Sequence, residues 1–421
     1  MRMSKKKKIV PKFRFPEFQR DGIDFVHGNK LFKSITNKNH NSDLPILAIT
    51  QDQGAVPRDQ IEYNVTVTDK SLSNYKVVEV GDFIISLRSF QGGIEYSRFK
   101  GICSPAYIIL RKREENISEL YYKYFFKTWR YIQSLNRNLE GIRDGKMISY
   151  SQFSSVKVPY PRSFKEQQKI ADCLSSIDEL IDAESRKLKA LETYKKGLMQ
   201  KLFPAEGKTL PEWRFPEFQG CGEWKLQKLK LICDFQEGYA FSSSDFVTND
   251  TDSNYIQVVR ITDINNKNSN TDKVFVNMDL IKRNDLYKYL ISKNDLILSL
   301  TGAAGFNFFI WNTNIAVLNQ RTLKLIPKDE KNHAIKFLIE PLIHKEINMH
   351  GTGQNNNLSK EVLKNVEIVL PTSFKEQQKI ADCLSEVDKI ITEQSNKVEQ
   401  LKAHKKGLMQ GLFPSLEEAD V

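Results

Sequence analysis

Ser163–Ser175 reads SFKEQQKIADCLS, and Ser373–Ser385 repeats those thirteen residues without a change. At the constant offset of 210 the match runs on from Ser163–Pro204 to Ser373–Pro414, with 27 of 42 positions identical and no gap. Identity over that length marks a duplicated structural unit. It reaches upstream as well: SSVKVPYP ending at Pro161 aligns with KNVEIVLP ending at Pro371, and Gly141 and Ser149 align with Gly351 and Ser359. A second segment is also written twice, PKFRFPEFQ at Pro11–Gln19 and PEWRFPEFQ at Pro211–Gln219. The order is therefore lead-in segment, unique region and long repeat, then the same three again.

Within the long repeat, Ile170, Leu174, Ile177, Ile181, Glu184, Leu188, Leu191 and Leu198 fall on a four-three spacing, as do Ile380, Leu384, Val387, Ile391, Gln394, Val398, Leu401 and Leu408. This is the apolar seam of a pairing helix. Ser163 with Glu166, and Ser373 with Glu376, predict a capping box at each start, and Pro204 and Pro414 close each helix. Glu184 and Gln394 are the polar exceptions, each near the middle of its copy. Antiparallel pairing about a pseudo-twofold axis would bring them together at the centre. About 35 helical residues at 1.5 Å each give a spacer of roughly 50 Å.

Composition bounds the function. A chain of 421 residues is long enough for two to four domains, and it is 40% hydrophobic and 27% charged. It has no apolar run of the roughly 20 residues that a membrane span needs. The basic start MRMSKKKKIVPKF meets Pro11 and Lys12 where a signal peptide would turn apolar. Cys103, Cys173, Cys221, Cys233 and Cys383 form no CxxC pair, so reduced, mostly buried thiols in a cytoplasmic protein are expected, with Cys173 and Cys383 buried beside the seam. Of the formal +11, about +6 lies in the first nineteen residues and about +6 in residues 20–162. That distribution favours a polyanionic partner.

FKEQQKIADCLS, the KKGLMQ-LFP ending, the RFPEF lead-in and GTGQNNNLS at Gly351–Ser359 resemble the specificity subunit of type I restriction-modification enzymes. The resemblance covers the whole chain in order. It implies a mixed α/β protein in which two target-recognition domains each read one half of a split site on double-stranded DNA. Two long helices, paired as an antiparallel coiled coil with pseudo-twofold internal repeat, separate them and dock two methylation subunits, with restriction subunits in the full complex. It also implies no catalytic residue, metal or cofactor on this chain, with S-adenosylmethionine, ATP and Mg on the partner subunits. The expected boundaries are a basic leader and lead-in segment at 1–19, recognition domains at 20–162 and 220–372, helices at 163–204 and 373–414, a linker with the second lead-in at 205–219 and an acidic tail at 415–421. One departure is visible: the counterpart of GTGQNNNLS is GIRDGKMIS at Gly141–Ser149, without the middle glycine or the Asn run.

The two unique regions share little sequence, yet KVVEVGDFIISL (Lys76–Leu87) and YLISKNDLILSL (Tyr289–Leu300) both read as a turn followed by a buried strand. Glycine-bearing loops follow each. Two α/β domains of one fold with different surfaces are what divergent recognition requires. Arg, Lys, Asn and Gln on such loops can make bidentate bonds to base edges. In the first domain the candidates are Gln51, Asp52, Arg58, Arg88, Gln91, Tyr96 and Arg98, with Lys100, Arg143 and Lys146 as phosphate contacts. In the second they are Tyr239, Ser242, Arg260, Asp263, Thr301, Asn307, Gln320 and Arg321, with Gln354, Asn355 and Asn356 as backbone or base contacts.

Catalytic motifs are missing. TGAAG at Thr301–Gly305 lacks the GK[ST] ending of a phosphate-binding loop, and His344 and His350 have the wrong spacing for a zinc helix. No Asn-Pro-Pro-aromatic segment occurs. Two other readings remain open on sequence alone: a self-contained DNA-modifying enzyme with an unrecognised site, and a coiled-coil adaptor that does not bind nucleic acid.

Overall fold

The computed structural model describes residues 10–414 except 42, 62–71, 138–147, 249–253, 266–272, 301–307, 312, 330–333, 336–337, 340–341 and 344–359. The chain forms two compact units, Met1–Arg186 with Ser395–Val421 and Lys187–Gln394.

Each unit is built on a four-stranded antiparallel sheet of the same order. In the first unit it runs Phe32–Ile35, Ile108–Lys112, Phe83–Ile85, Glu95–Tyr96, and in the second Cys233–Glu237, Thr322–Pro327, Leu296–Ser299, Phe308–Ile310. The turn into the central strand is also shared. Asp82 accepts from the Glu79 amide at 2.8 Å and pairs with Arg111 at 2.7 Å; Asp295 accepts from the Ser292 amide at 2.9 Å and pairs with Lys324 at 2.6 Å. Both carboxylates are buried, so each needs the amide and the cation to offset its lost hydration. The strands expected from KVVEVGDFIISL and YLISKNDLILSL are these central ones.

A two-stranded ribbon then joins the two ends of each unique region, Ile23–His27 with Lys157–Pro161 and Lys225–Lys228 with Glu367–Leu370. The units differ elsewhere. The first carries two small ribbons, Leu47–Thr50 with Gly54–Pro57 and Lys76–Val78 with Gly101–Cys103. The second carries a further four-stranded sheet in which Tyr255–Val259 pairs in parallel with Ala316–Leu318.

Both long helices are continuous, Phe164–Leu202 and Phe374–Leu412. They pair antiparallel: as the first advances from Asp178 to Glu184, its ion-pair partners on the second retreat from Lys405 to Lys397. In the other unit Lys195 pairs with Asp388 at 2.6 Å. The seam is not uniform. Ile170 and Leu174 join the aromatic core of the first unit, together with Leu412 and Phe413 from the end of the opposite helix. Ile380 and Leu384 likewise join the second core with Leu202 and Phe203. Val387, Gln394 and Val398 are buried, whereas Ile177, Ile181, Glu184, Leu188, Leu191, Leu198, Ile391, Leu401 and Leu408 are only half-buried. A two-helix pair standing alone cannot cover its own seam.

Two expectations are corrected here. Glu166 and Glu376 do not close capping boxes by reaching back to their serines. Each carboxylate is instead held bidentate by an arginine of a lead-in segment, Arg14 at 2.7 and 2.8 Å and Arg214 at 2.7 and 2.8 Å. A planar guanidinium matches both oxygens at once, which a single amide cannot do. Cys173 and Cys383 are half-buried rather than buried, because positions flanking a two-helix seam keep solvent on one side, and Cys221 is exposed.

The lead-in segments also fasten to helix ends. The Phe13 amide donates to the Gly411 carbonyl at 2.8 Å, and the Trp213 amide donates to the Lys201 carbonyl at 2.9 Å. Each segment thus ties the last turn of one helix to the first turn of the other.

Candidate nucleic-acid interface

In the first unit the Leu47–Thr50 and Gly54–Pro57 strands form a hairpin whose tip is Gln51–Gln53. Thr50 fixes the tip, its hydroxyl donating to the Gly54 carbonyl at 3.0 Å and accepting from the Gln53 amide at 3.1 Å. Gly54 has φ +77°, and a Cβ there would stand 2.5 Å from the Tyr96 carbonyl oxygen, so only glycine lets the hairpin lie against that strand.

The tip is bound to the loop after the central strand. Gln51 donates to the Arg88 carbonyl at 3.3 Å, and Lys127 donates to the carbonyls of Gln51 and Gly92 at 3.0 and 2.9 Å while pairing with Glu95. Burial pushes the Glu95 carboxyl up to about 7 and the Lys127 amine down, so both partners lean toward neutrality. Above this anchor Gln51, Asp52, Leu87, Arg88 and Gln91 are exposed. Four of those five were candidates from sequence. Leu87, 53% exposed, and the anchoring Lys127 were missed, since nothing in their neighbours distinguishes a loop apex or a buried cation.

The remaining candidates of this unit stand apart. Tyr96 is half-buried with its ring 5.5 Å from Phe83, and burial pushes its hydroxyl up. Lys100 pairs with Glu79 at 3.1 Å. Exposed Arg98 acts toward Lys123, where after burial it is the next cause holding the amine down to about 8. Arg58 is half-buried, and its Nε and Nη1 find no hydrogen-bond partner among the described residues.

In the second unit the pivot is Asn319. Its amide donates to the Val259 carbonyl at 3.0 Å, its side chain accepts from the Gln320 amide at 2.9 Å, and a Cβ at Gly238 would approach its carbonyl to 2.0 Å. Tyr239, Arg260, Gln320 and Arg321 therefore gather at neighbouring strand ends. Gln320 and Arg321 are exposed, and Arg321 sits at φ +62°, a conformation costing a bulky residue about 1–3 kcal/mol and common at functional sites. Tyr239 packs edge-on against Phe241 at 4.9 Å. Arg260 pairs with Asp263 at 3.2 Å, and exposed Ser242 caps a short turn with Asp245. Asn319 was missed; its signal is an Asn directly before two turn residues. Arg143, Lys146, Thr301, Asn307, Gln354, Asn355 and Asn356 lie outside the described residues.

Both clusters present amides and guanidinium groups on loops held by a rigid sheet, the chemistry that reads base edges and phosphates. Among the described residues no cluster of His, Cys, Asp and Glu is placed to hold a metal, and no helix is long and apolar enough to cross a membrane.

The family model described as type I restriction modification DNA specificity domain matches residues 21–193 and again 222–402. The chain is 26% identical over 362 residues to the type I restriction enzyme MjaVIII specificity subunit of Methanocaldococcus jannaschii, covering 82% of this chain and 80% of that one. A shorter match, 28% over 87 residues, links it to a putative type I specificity subunit of Mycoplasma genitalium. In fold it resembles the crystal structure of the type I restriction-modification S subunit from M. genitalium, with TM-score 0.56, 15% identity and coverage of 96% and 99%. A chain solved in work on complex assembly and conformational transition of the type I R-M system gives TM-score 0.55 at 16% identity, with coverage of 96% and 99%.

Proposed function

Because the chain belongs to the type I restriction modification DNA specificity family, we propose that its two units each read one half of a split, asymmetric site on double-stranded DNA, and that it directs methylation and restriction subunits there without catalysing either reaction. The observation that carries this is one frame presenting two different surfaces. Asp82 with Arg111 and Asp295 with Lys324 build the same turn on the same sheet order, while the exposed groups beside it are Gln51, Arg88 and Gln91 in one unit and Gln320 and Arg321 in the other.

Direct readout by different side chains selects different bases. The duplicated helices offer two equivalent faces, hence two methylation subunits per chain. S-adenosylmethionine, ATP and Mg belong to the partners in this reading, and the assembly works in the cytoplasm. The boundaries of the recognition domains are 20–162 and 220–372. Mapping modified adenines in DNA exposed to the assembled complex should yield a two-part, non-palindromic motif. A continuous or palindromic motif would overturn the proposal.

A further inference from the structure

Glu95 stands on the last strand of the first unit's sheet, opposite Ile84, and is 2% exposed. In the second unit's sheet Phe309 stands opposite Ile297. Ile84 and Ile297 each lie two residues after the buried aspartate of the shared turn, Asp82 and Asp295, so the two positions are equivalent. The common frame therefore closes without a charge at this place. Burying Glu95 with Lys127 strips both of hydration that an aromatic side chain does not need, and the stability of the sheet alone gives no reason to keep the pair.

What the pair holds is the surface above it. The hairpin tip is closed on itself by Thr50. The loop Ser86–Gly93 is closed on itself too: the Ser86 amide donates to the Ser89 hydroxyl at 2.8 Å, the Arg88 amide to the Ser86 hydroxyl at 3.2 Å and the Gly93 amide to the Ser89 carbonyl at 2.9 Å. Among the described residues, the hydrogen bonds that join tip to loop are the long one from Gln51 to the Arg88 carbonyl and those of the Lys127 ammonium, which donates to the Gln51 and Gly92 carbonyls and to Glu95. Lys127 itself cannot drift. It follows Phe126, fully buried in the aromatic core, and a Cβ at Gly93 (φ +83°) would stand 2.2 Å from the Phe126 carbonyl oxygen, so the loop rests directly on that backbone. After burial and their mutual attraction, the exposed Asp52 carboxylate is the next charge that Glu95 and Lys127 both feel, which puts the pair beneath the tip.

We propose that Lys127, seated on Glu95, is a positioning residue for the half-site read by the first unit: it fixes the spacing between hairpin tip and loop, so that Gln51 and Asp52 on one and Arg88 and Gln91 on the other meet a single set of base edges in register. This rests on the DNA reading given above. Base pairs differ in the order of donors and acceptors along the groove, and a reader built from two loops tells them apart only while the loops keep a fixed separation. Loops free to shift would find comparable bonds on more than one sequence. Lys127 thus acts through the contacting groups and touches no base itself.

The test uses the full chain assembled with its partner subunits, and duplexes carrying the motif mapped for the parent, either intact or with one base pair changed in one half or the other. Affinities are compared at one salt concentration and at pH 8, where the Glu95 carboxyl, pushed up to about 7, is ionised. Lys127→Met strands that carboxylate, so the melting temperature of the chain should fall, and discrimination against changes in one half of the motif should drop about tenfold while the other half is read as before. Lys127→Met combined with Glu95→Gln removes the stranded charge but not the missing link. Its melting temperature should return toward that of the parent, and discrimination in the same half should stay lost. Discrimination that returns with the melting temperature would overturn the proposal, leaving the pair a support for the fold alone. Equal loss in both halves, or parent-level discrimination in both variants, would overturn it as well. A parent complex with no two-part motif would sink the DNA reading and this assignment together.

Discussion

Arg14 and Arg214 each bury a guanidinium against a buried carboxylate more than 150 positions away, and the two sites are copies of one another. With side-chain exposures of 5% and 0% for Arg14 and Glu166, removing the cation strands a charge without water. Arg14→Ala should therefore destabilise the first unit by about 3–5 kcal/mol. Urea unfolding of the parent and the variant, followed by far-ultraviolet circular dichroism, measures that loss. Glu95 supplies a pH prediction. Its carboxyl is pushed from 4.5 up to about 7, so in this window the folded chain holds a proton that the unfolded chain has lost. Its contribution to stability therefore falls as pH rises from about 4.5 through about 7 and is flat above. Denaturation midpoints of Glu95→Gln at pH 5, 6 and 7 should lack that part of the slope seen in the parent. At this scale the sequence was only partly legible. Exposed loop residues such as Arg88 and Gln91 could be picked from composition, whereas the partners of Arg14 or Lys127 are set by tertiary contacts across the chain.

Helices and strands were more legible than their neighbours. Seam spacing, the closing prolines and the two turn-plus-strand segments all follow from local pattern, because apolar periodicity survives whatever the element packs on. What the helix packs on was not legible: Ile170 and Leu174 carry the same heptad letters as Leu191 and Leu188, yet the domain core claims them. The capping box failed for a related reason, since an arginine remote in sequence outcompetes the local amide. Gly197 and Gly407 give the element-scale prediction. With open space at each Cβ, Gly197→Ala and Gly407→Ala should each stabilise the free chain by up to about 1 kcal/mol. Thermal melts of the two single variants and the double variant would check both the sign and its additivity.

Across the whole molecule, the duplication was plain in the sequence, because identity at a fixed offset needs no structural knowledge. The common frame of the unique regions was visible only through one turn and strand, since the shared sheet order is kept by burial pattern rather than by identity. The exposed ends of that frame carry no sequence signature at all, which is why the candidate contacts scatter between exposed tips and packed positions such as Tyr96 and Tyr239. The central claim is that the two units read DNA independently. Replacing residues 20–160 with the corresponding region of a relative that has another specificity, then mapping methylated adenines, tests it most directly. The account predicts that one half of the recognised motif changes while the other half stays the same; a simultaneous change in both halves would contradict it.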